Sequence, residues 1–165
     1  CYTGGFSVYA LHAGAALVHS VDVSNTAVEL TKKNIELNNF NIQQHLVFAE
    51  DVFSFLENTE EQYDVIVLDP PAFAKHADAR HRAMKGYQRL NALAMKKIKP
   101  RGIVFTFSCS QVIDKKLFYD TVVSAAIISK RKVRVLHQLS QAPDHPVSAF
   151  HPEGEYLKGL VLYVE

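Results

Sequence analysis

Two apolar runs in this chain lead directly into residues capable of covalent and electrostatic chemistry. Residues 63–68 pass into Asp69-Pro70-Pro71-Ala72-Phe73, and residues 103–107 pass into Ser108-Cys109-Ser110. Two successive prolines remove two backbone donors and force an extended, rigid turn. The carboxylate before them is therefore held out at the end of its run. A thiol is a soft nucleophile whose thiolate does the work. Taken alone, Cys109 would read as a small buried core residue. Its place at the end of the neighbouring run, where an α/β sheet puts its crevice, argues instead for a reactive group.

A second group of residues has the pattern of a nucleotide-type pocket. Thr3-Gly4-Gly5-Phe6-Ser7 precedes a short helical run through His12, and glycines at such a turn let a ligand approach the backbone. Asp22, followed by Val23, ends the next apolar run, where Rossmann-like sheets place an acid for ribose hydroxyls. The chain has no strict G-x-G-x-x-G, which argues against a nicotinamide cofactor. Asp51, followed by Val52, ends the third run. Its carboxylate could meet an adenine amino group, or it could cap a helix over residues 52–57.

These residues need a scaffold, and the hydropathy pattern supplies one. Runs rich in β-formers at residues 16–21, 45–49, 63–68 and 103–107 have strand length. Helical spacing predicts helices over 25–38, 80–99 and 117–128. Residues 133–139 and 157–164 read as two more strands with no helical pattern between them, which predicts an antiparallel closing strand. Strands alternating with helices imply an α/β, Rossmann-like, mostly parallel sheet with helices on both faces. No apolar run precedes the glycine turn, so the first strand of such a sheet is expected to be missing and the chain to be a fragment.

At 165 residues and 48% hydrophobic content, the chain suits one domain, residues 1–165. No apolar run approaches the roughly 18 residues that span a membrane, and no signal-peptide pattern opens the sequence. Eight histidines and two cysteines show no metal-ligand spacing. Two distant cysteines suggest reduced thiols and a cytoplasmic location, with a disulfide between Cys1 and Cys109 as the alternative. The net charge of +1 hides an asymmetry. Residues 1–74 hold two lysines against ten acids, whereas residues 75–101 hold nine Lys or Arg against Asp78 alone. A concentrated basic segment points either to a polyanion partner or to a solvated helix face.

Cys1-Tyr2-Thr3-Gly4-Gly5-Phe6-Ser7, Asp69-Pro70-Pro71-Ala72-Phe73, Phe107-Ser108-Cys109-Ser110, Asp144-His145-Pro146 and residues 152–159, in this order, resemble the RlmI-type family. Its members are class I methyltransferases that form 5-methylcytosine in large-subunit ribosomal RNA. The resemblance runs over essentially the whole chain. It implies a catalytic domain without the amino-terminal PUA and linking regions, with S-adenosyl-L-methionine as cofactor and ribosomal RNA, at an unpaired or loop cytosine, as partner. It further implies Cys109 as nucleophile toward carbon 6 and Asp69 as the group that hydrogen-bonds the ring nitrogen and amine. Thr3, Gly4, Gly5, Phe6, Asp22, Val23, Asp51, Val52, Asp69 and Pro70 would serve the cofactor. Pro71, Phe73, Lys75, Arg80, Arg82 and Lys85 would serve the RNA, the basic residues as phosphate contacts. Tyr87 could stack or pack, and the resemblance places His145 and His151 near the crevice mouth. A homodimer is one assembly open to such a chain.

Two other readings predict different behaviour. Guanine nitrogen methylation on the same scaffold needs no cysteine, because the nitrogen attacks directly. A non-catalytic nucleotide- or RNA-binding module would bind without turnover. The Asp69/Cys109 pair separates these from cytosine chemistry.

Overall fold

A computed structural model describes residues 1–74 and 76–165. They form two compact units, Cys1–Thr59 and Glu60–Glu165.

In the first unit, α1 (Gly5–His12) is followed by β1 (Val18–Asp22), α2 (Asn25–Leu37), β2 (His45–Ala49) and α3 (Val52–Asn58). β1 and β2 pair in parallel from Val18↔His45 to Asp22↔Ala49. Alternation along β1 sends successive side chains to opposite faces. Ser20 faces α1 and bonds Ser7 Oγ at 2.6 Å. His19, on the other face, packs tilted against Phe48 and edge-on against Phe55, the latter from α3. Helices thus cover both faces of the pair. α2 starts at Ser24, whose hydroxyl accepts from Ala27 N–H, and buries Ala27, Val28, Thr31 and Ile35 at helical spacing.

The second unit runs β3 (Tyr63–Leu68), α4 (Arg80–Lys97), β4 (Ile98–Ser108), α5 (Lys115–Ser129), β5 (Val133–Leu139) and β6 (Lys158–Val164). Its sheet order is β3-β4-β6-β5. β3 and β4 are parallel, and β6 is antiparallel to both β4 and β5. The last strand is antiparallel, as its sequence context implies, but it lies inside the sheet and leaves β5 at the edge. Burial explains the placement. Six of the seven β6 residues are buried, whereas β5 has none buried. A strand that is apolar after its first residue belongs in the interior.

The helix expected over 80–99 ends at Lys97. Ile98, 1% exposed, turns inward and opens β4. Pro100, Arg101 and Gly102 fall inside that strand as an irregularity, where the register steps from Tyr63↔Ile98 to Val65↔Ile103. Gly102 is required there: a Cβ would lie 2.6 Å from Ile98 Cγ1 and 2.9 Å from the Asp64 carbonyl. Along the rest of β4 the even-numbered residues Val104, Thr106 and Ser108 are buried. Ser108 meets Tyr87 of α4, and Tyr87 packs edge-on against Phe118 of α5.

Candidate functional site

The glycine turn in the first unit has the backbone that its sequence suggests. Gly4 caps α1 with φ 78°, in the left-handed region. A Cβ at Gly4 would lie 2.6 Å from Thr31 Cγ2, so α2 leaves no room for a side chain there. Gly5 is the opposite case: nothing lies within 4 Å of its absent Cβ. Thr3 is tied down through its carbonyl, which accepts from Asn34 Nδ2 at 2.8 Å. Phe6 and Val23 are exposed.

Asp22 organises this turn. Its Oδ2 accepts from Tyr2 N–H at 3.1 Å, and its Oδ1 accepts from Ser24 N–H at 3.0 Å. Asp51 takes the capping role left open by its sequence. Its Oδ1 accepts from Phe53 and Ser54 N–H at 3.0 and 3.1 Å, with Val52 as the first residue of α3.

In the second unit, the register Leu68↔Thr106 sets the carboxyl ends of β3 and β4 side by side. Asp69 and Cys109 leave those two ends. Asp69 is exposed, yet nearby protein displaces part of its hydration and raises its pKa above the usual carboxylate value. The two groups share a neighbour in the Tyr87 phenol. Its pKa is raised first by burial, and also by negative charge at Cys109 and Asp69. Cys109 is a free, half-buried thiol, and Cys1 is also free. An open cleft of about 300 Å³ is lined by Cys109, Ala72, Ala74, Gln111 and Tyr156. Ser110 Oγ donates to the Ala74 carbonyl at 2.8 Å, which ties the loop after Cys109 to the segment after the prolines.

The residues expected to meet RNA divide. Pro71 is exposed. Phe73 packs on Tyr87 with ring centroids 4.6 Å apart and lies against Gly86, a packing role. Arg80 approaches Asp114 at 3.7 Å. Arg82, Lys85 and Arg89 are exposed and recur at i, i+3 and i+7 on one face of α4. Lys75 lies outside the described residues. Tyr87, left open between stacking and packing, is fully buried. His145 Nε2 bonds Tyr156 Oη at 3.0 Å, and His151 pairs with Glu153.

Sequence reasoning gave no place to Gln111, and Tyr156 and Lys158 entered only as part of the segment 152–159, without a role of their own. Lys158 carried a signal: it is a charge opening an otherwise apolar run. Among the described residues there is no cluster of three or more metal-binding side chains and no helix long and apolar enough to cross a membrane.

The methyltransferase small domain family matches residues 1–137. The chain is 44% identical over 165 residues to ribosomal RNA large subunit methyltransferase I of Tolumonas auensis, covering 98% of this chain and 42% of that protein. The protein of the same name from Shewanella frigidimarina is 44% identical over 168 residues, with 99% and 42% covered. The chain therefore spans about 42% of the length of these relatives. Among solved structures, SMU.776 complexed with SAH superimposes with a TM-score of 0.84 at 23% identity, covering 98% of this chain and 43% of that one. Trm5b from Pyrococcus abyssi gives a TM-score of 0.68 at 18% identity, with 99% and 42% covered. At these identities the likeness is one of fold.

Proposed function

Because the chain belongs to the methyltransferase small domain family and has a class I, Rossmann-like fold, we propose that it is the catalytic part of an S-adenosylmethionine-dependent methyltransferase acting on carbon 5 of a cytosine in ribosomal RNA. The observation that carries this reading is the pairing of Asp69 and Cys109 at adjacent strand ends, with the thiol opening onto a cleft. The relatives' shared name supports ribosomal RNA as the substrate class.

The first unit fits the cofactor. The space over Gly5 is open to the approach of a ligand, and Asp22 Oδ1 keeps a lone pair beyond the Ser24 N–H it accepts. Thr3, Gly4, Gly5 and Phe6 would hold the methionine and ribose side, and Asp22 with Val23 the ribose. Asp51 and Val52 would meet the adenine. Bound S-adenosylmethionine supplies an electrophilic methyl group on a sulfonium.

Cytosine carbon 5 is a poor nucleophile, and Cys109 remedies this. Its thiolate adds to carbon 6, forming a carbon–sulfur bond and making carbon 5 an enamine carbon. A protonated Asp69 donates to ring nitrogen 3, where charge develops, and its other oxygen accepts from the exocyclic amine. Once carbon 5 carries the methyl group, a base takes its proton. The released electron pair restores the ring double bond and expels the thiolate. The target base must leave its stack to reach a cysteine in a cleft, which favours unpaired RNA. Arg80, Arg82, Lys85 and Arg89 would contact phosphates, beside Pro71 and Phe73.

The test is methyl transfer to large-subunit ribosomal RNA by Cys109→Ala and Asp69→Asn variants. Loss of turnover is expected for both, with cofactor binding retained by Cys109→Ala. Turnover retained by Cys109→Ala would overturn the covalent step and favour a nitrogen target.

A further inference from the structure

Lys158 opens β6 but is only 5% exposed. A buried ammonium has to be hydrogen-bonded, and this one donates to the carbonyls of Ser110 at 2.6 Å and Ile113 at 2.5 Å. Both lie in the turn that follows Cys109. The Lys158 backbone pairs with Ser108, on the other side of the thiol. One residue thus grips the chain immediately before and after the cysteine. A cavity of about 440 Å³ lined by Lys158 adjoins the Cys109 cleft, since Gln111 and Tyr156 line both. Both hydrogen bonds of the ammonium end on neutral carbonyls, so its charge is not cancelled by them.

We propose that Lys158 is a positioning residue for Cys109: it fixes the Ser110–Ile113 turn that presents the thiol and supplies the positive charge that favours its thiolate. This rests on the reading of Cys109 as nucleophile. The electrostatics agree in sign. Burial lowers the Lys158 pKa, and negative charge at Cys109 and Asp114 raises it, against Lys115. The other titratable groups near the thiol are Tyr87 on α4, which feels negative charge at both Cys109 and Asp69, and Tyr156 of the last loop, which lines the cleft and bonds His145.

The experiment is the rate of Cys109 alkylation by iodoacetamide against pH, in a Cys1→Ser background so that one thiol reports. Lys158→Gln keeps donors for the two carbonyls and removes the charge, whereas Lys158→Arg keeps the charge. At neutral pH the Gln variant should react about tenfold more slowly, with its pH inflection displaced upward, and the Arg variant should recover most of the rate. An unchanged profile in a folded Gln variant would overturn the proposal. A second measurement needs no Lys158 variant. A cation beside the sulfur favours anionic iodoacetate over neutral iodoacetamide, relative to free cysteine. A ratio at or below that of free cysteine would equally overturn it. Neither readout uses methyl transfer, so turnover retained by Cys109→Ala would defeat the covalent reading while leaving these results to stand by themselves.

Discussion

Ser108 Oγ donates to Tyr87 Oη across 3.0 Å, joining β4 to α4 inside the second unit one residue before Cys109. Ser108 Oγ also accepts from Ser110 N–H at 3.3 Å. The bond therefore anchors both flanks of Cys109 to a tyrosine whose ring is packed by Phe73 and Phe118. Replacing Tyr87 with Phe keeps the packing and strands the serine hydroxyl. A stability loss of about 1–2 kcal/mol is expected, read as a lower urea midpoint with an unchanged slope. No loss of stability would show that the serine finds another acceptor.

The two adjacent glycines of the first turn should respond in opposite ways to alanine. Gly4→Ala forces a side chain into a left-handed backbone and against Thr31, so destabilisation of roughly 1–2 kcal/mol is expected. Gly5→Ala meets open space and should leave stability nearly unchanged. Its methyl group instead enters the space proposed for the cofactor, so calorimetric affinity for S-adenosylhomocysteine should fall at least about tenfold. Equal affinity in the Gly5 variant would move the cofactor away from this turn.

A buried relay of Ser7, Ser20 and His45 ties α1 to both strands of the first unit, with Ser20 Oγ 2.8 Å from His45 Nε2. Burial, with His19 nearby, lowers the His45 pKa. Its unfolded value is near 6.5, so between that pH and the lower folded value the unfolded chain binds the extra proton. Stability is thus unaffected by His45 above about pH 6.5 and declines as pH falls below it. Thermal melts between pH 7.5 and 5 should show this decline, and His45→Gln should flatten it. A parallel decline in both proteins would assign the effect to other groups.

Gly159 lies against an aromatic ring, with its absent Cβ 2.5 Å from Phe107 Cδ1. Gly159→Ala should cost about 1–3 kcal/mol by overpacking. Shortening the ring in a Phe107→Leu background should recover part of that cost. A double-mutant cycle with no coupling would contradict the contact.

Arg82, Lys85 and Arg89 share one exposed face of α4. If they contact phosphates, charge removal should weaken RNA binding almost regardless of sequence. Each neutralised contact should reduce the slope of log affinity against log salt by somewhat less than about one. A weaker affinity with an unchanged slope would mean that the residues act through folding.

The strands were readable where apolar runs are sharply bounded, and residues 45–49, 63–68 and 133–139 match β2, β3 and β5 residue for residue. The boundary between α4 and β4 was not, because Ile98 continues the helical hydropathy and only its burial reveals the strand. Antiparallel β6 was legible from the missing helix before it. Its interior position was not, since hydropathy reports burial but not neighbours. Asp69 and Cys109 were visible from type and position, and Asp51 stayed ambiguous because a cap and an adenine ligand occupy the same strand-end position. Lys158 was legible only as an oddity, because the carbonyls that satisfy it lie more than 40 residues earlier.

The interior place of β6 also orders events in time. β5 pairs only with β6 within its sheet, and β6 is synthesised after every strand it joins. On a ribosome, β3 and β4 can zip together early, while β5 waits with a bare ladder until residues 158–164 emerge. The half-made sheet therefore shows β4's unclaimed side during that interval, when an intruding strand would compete for it. Pulse-labelled chains stalled before Lys158 should be the ones that chaperones retain.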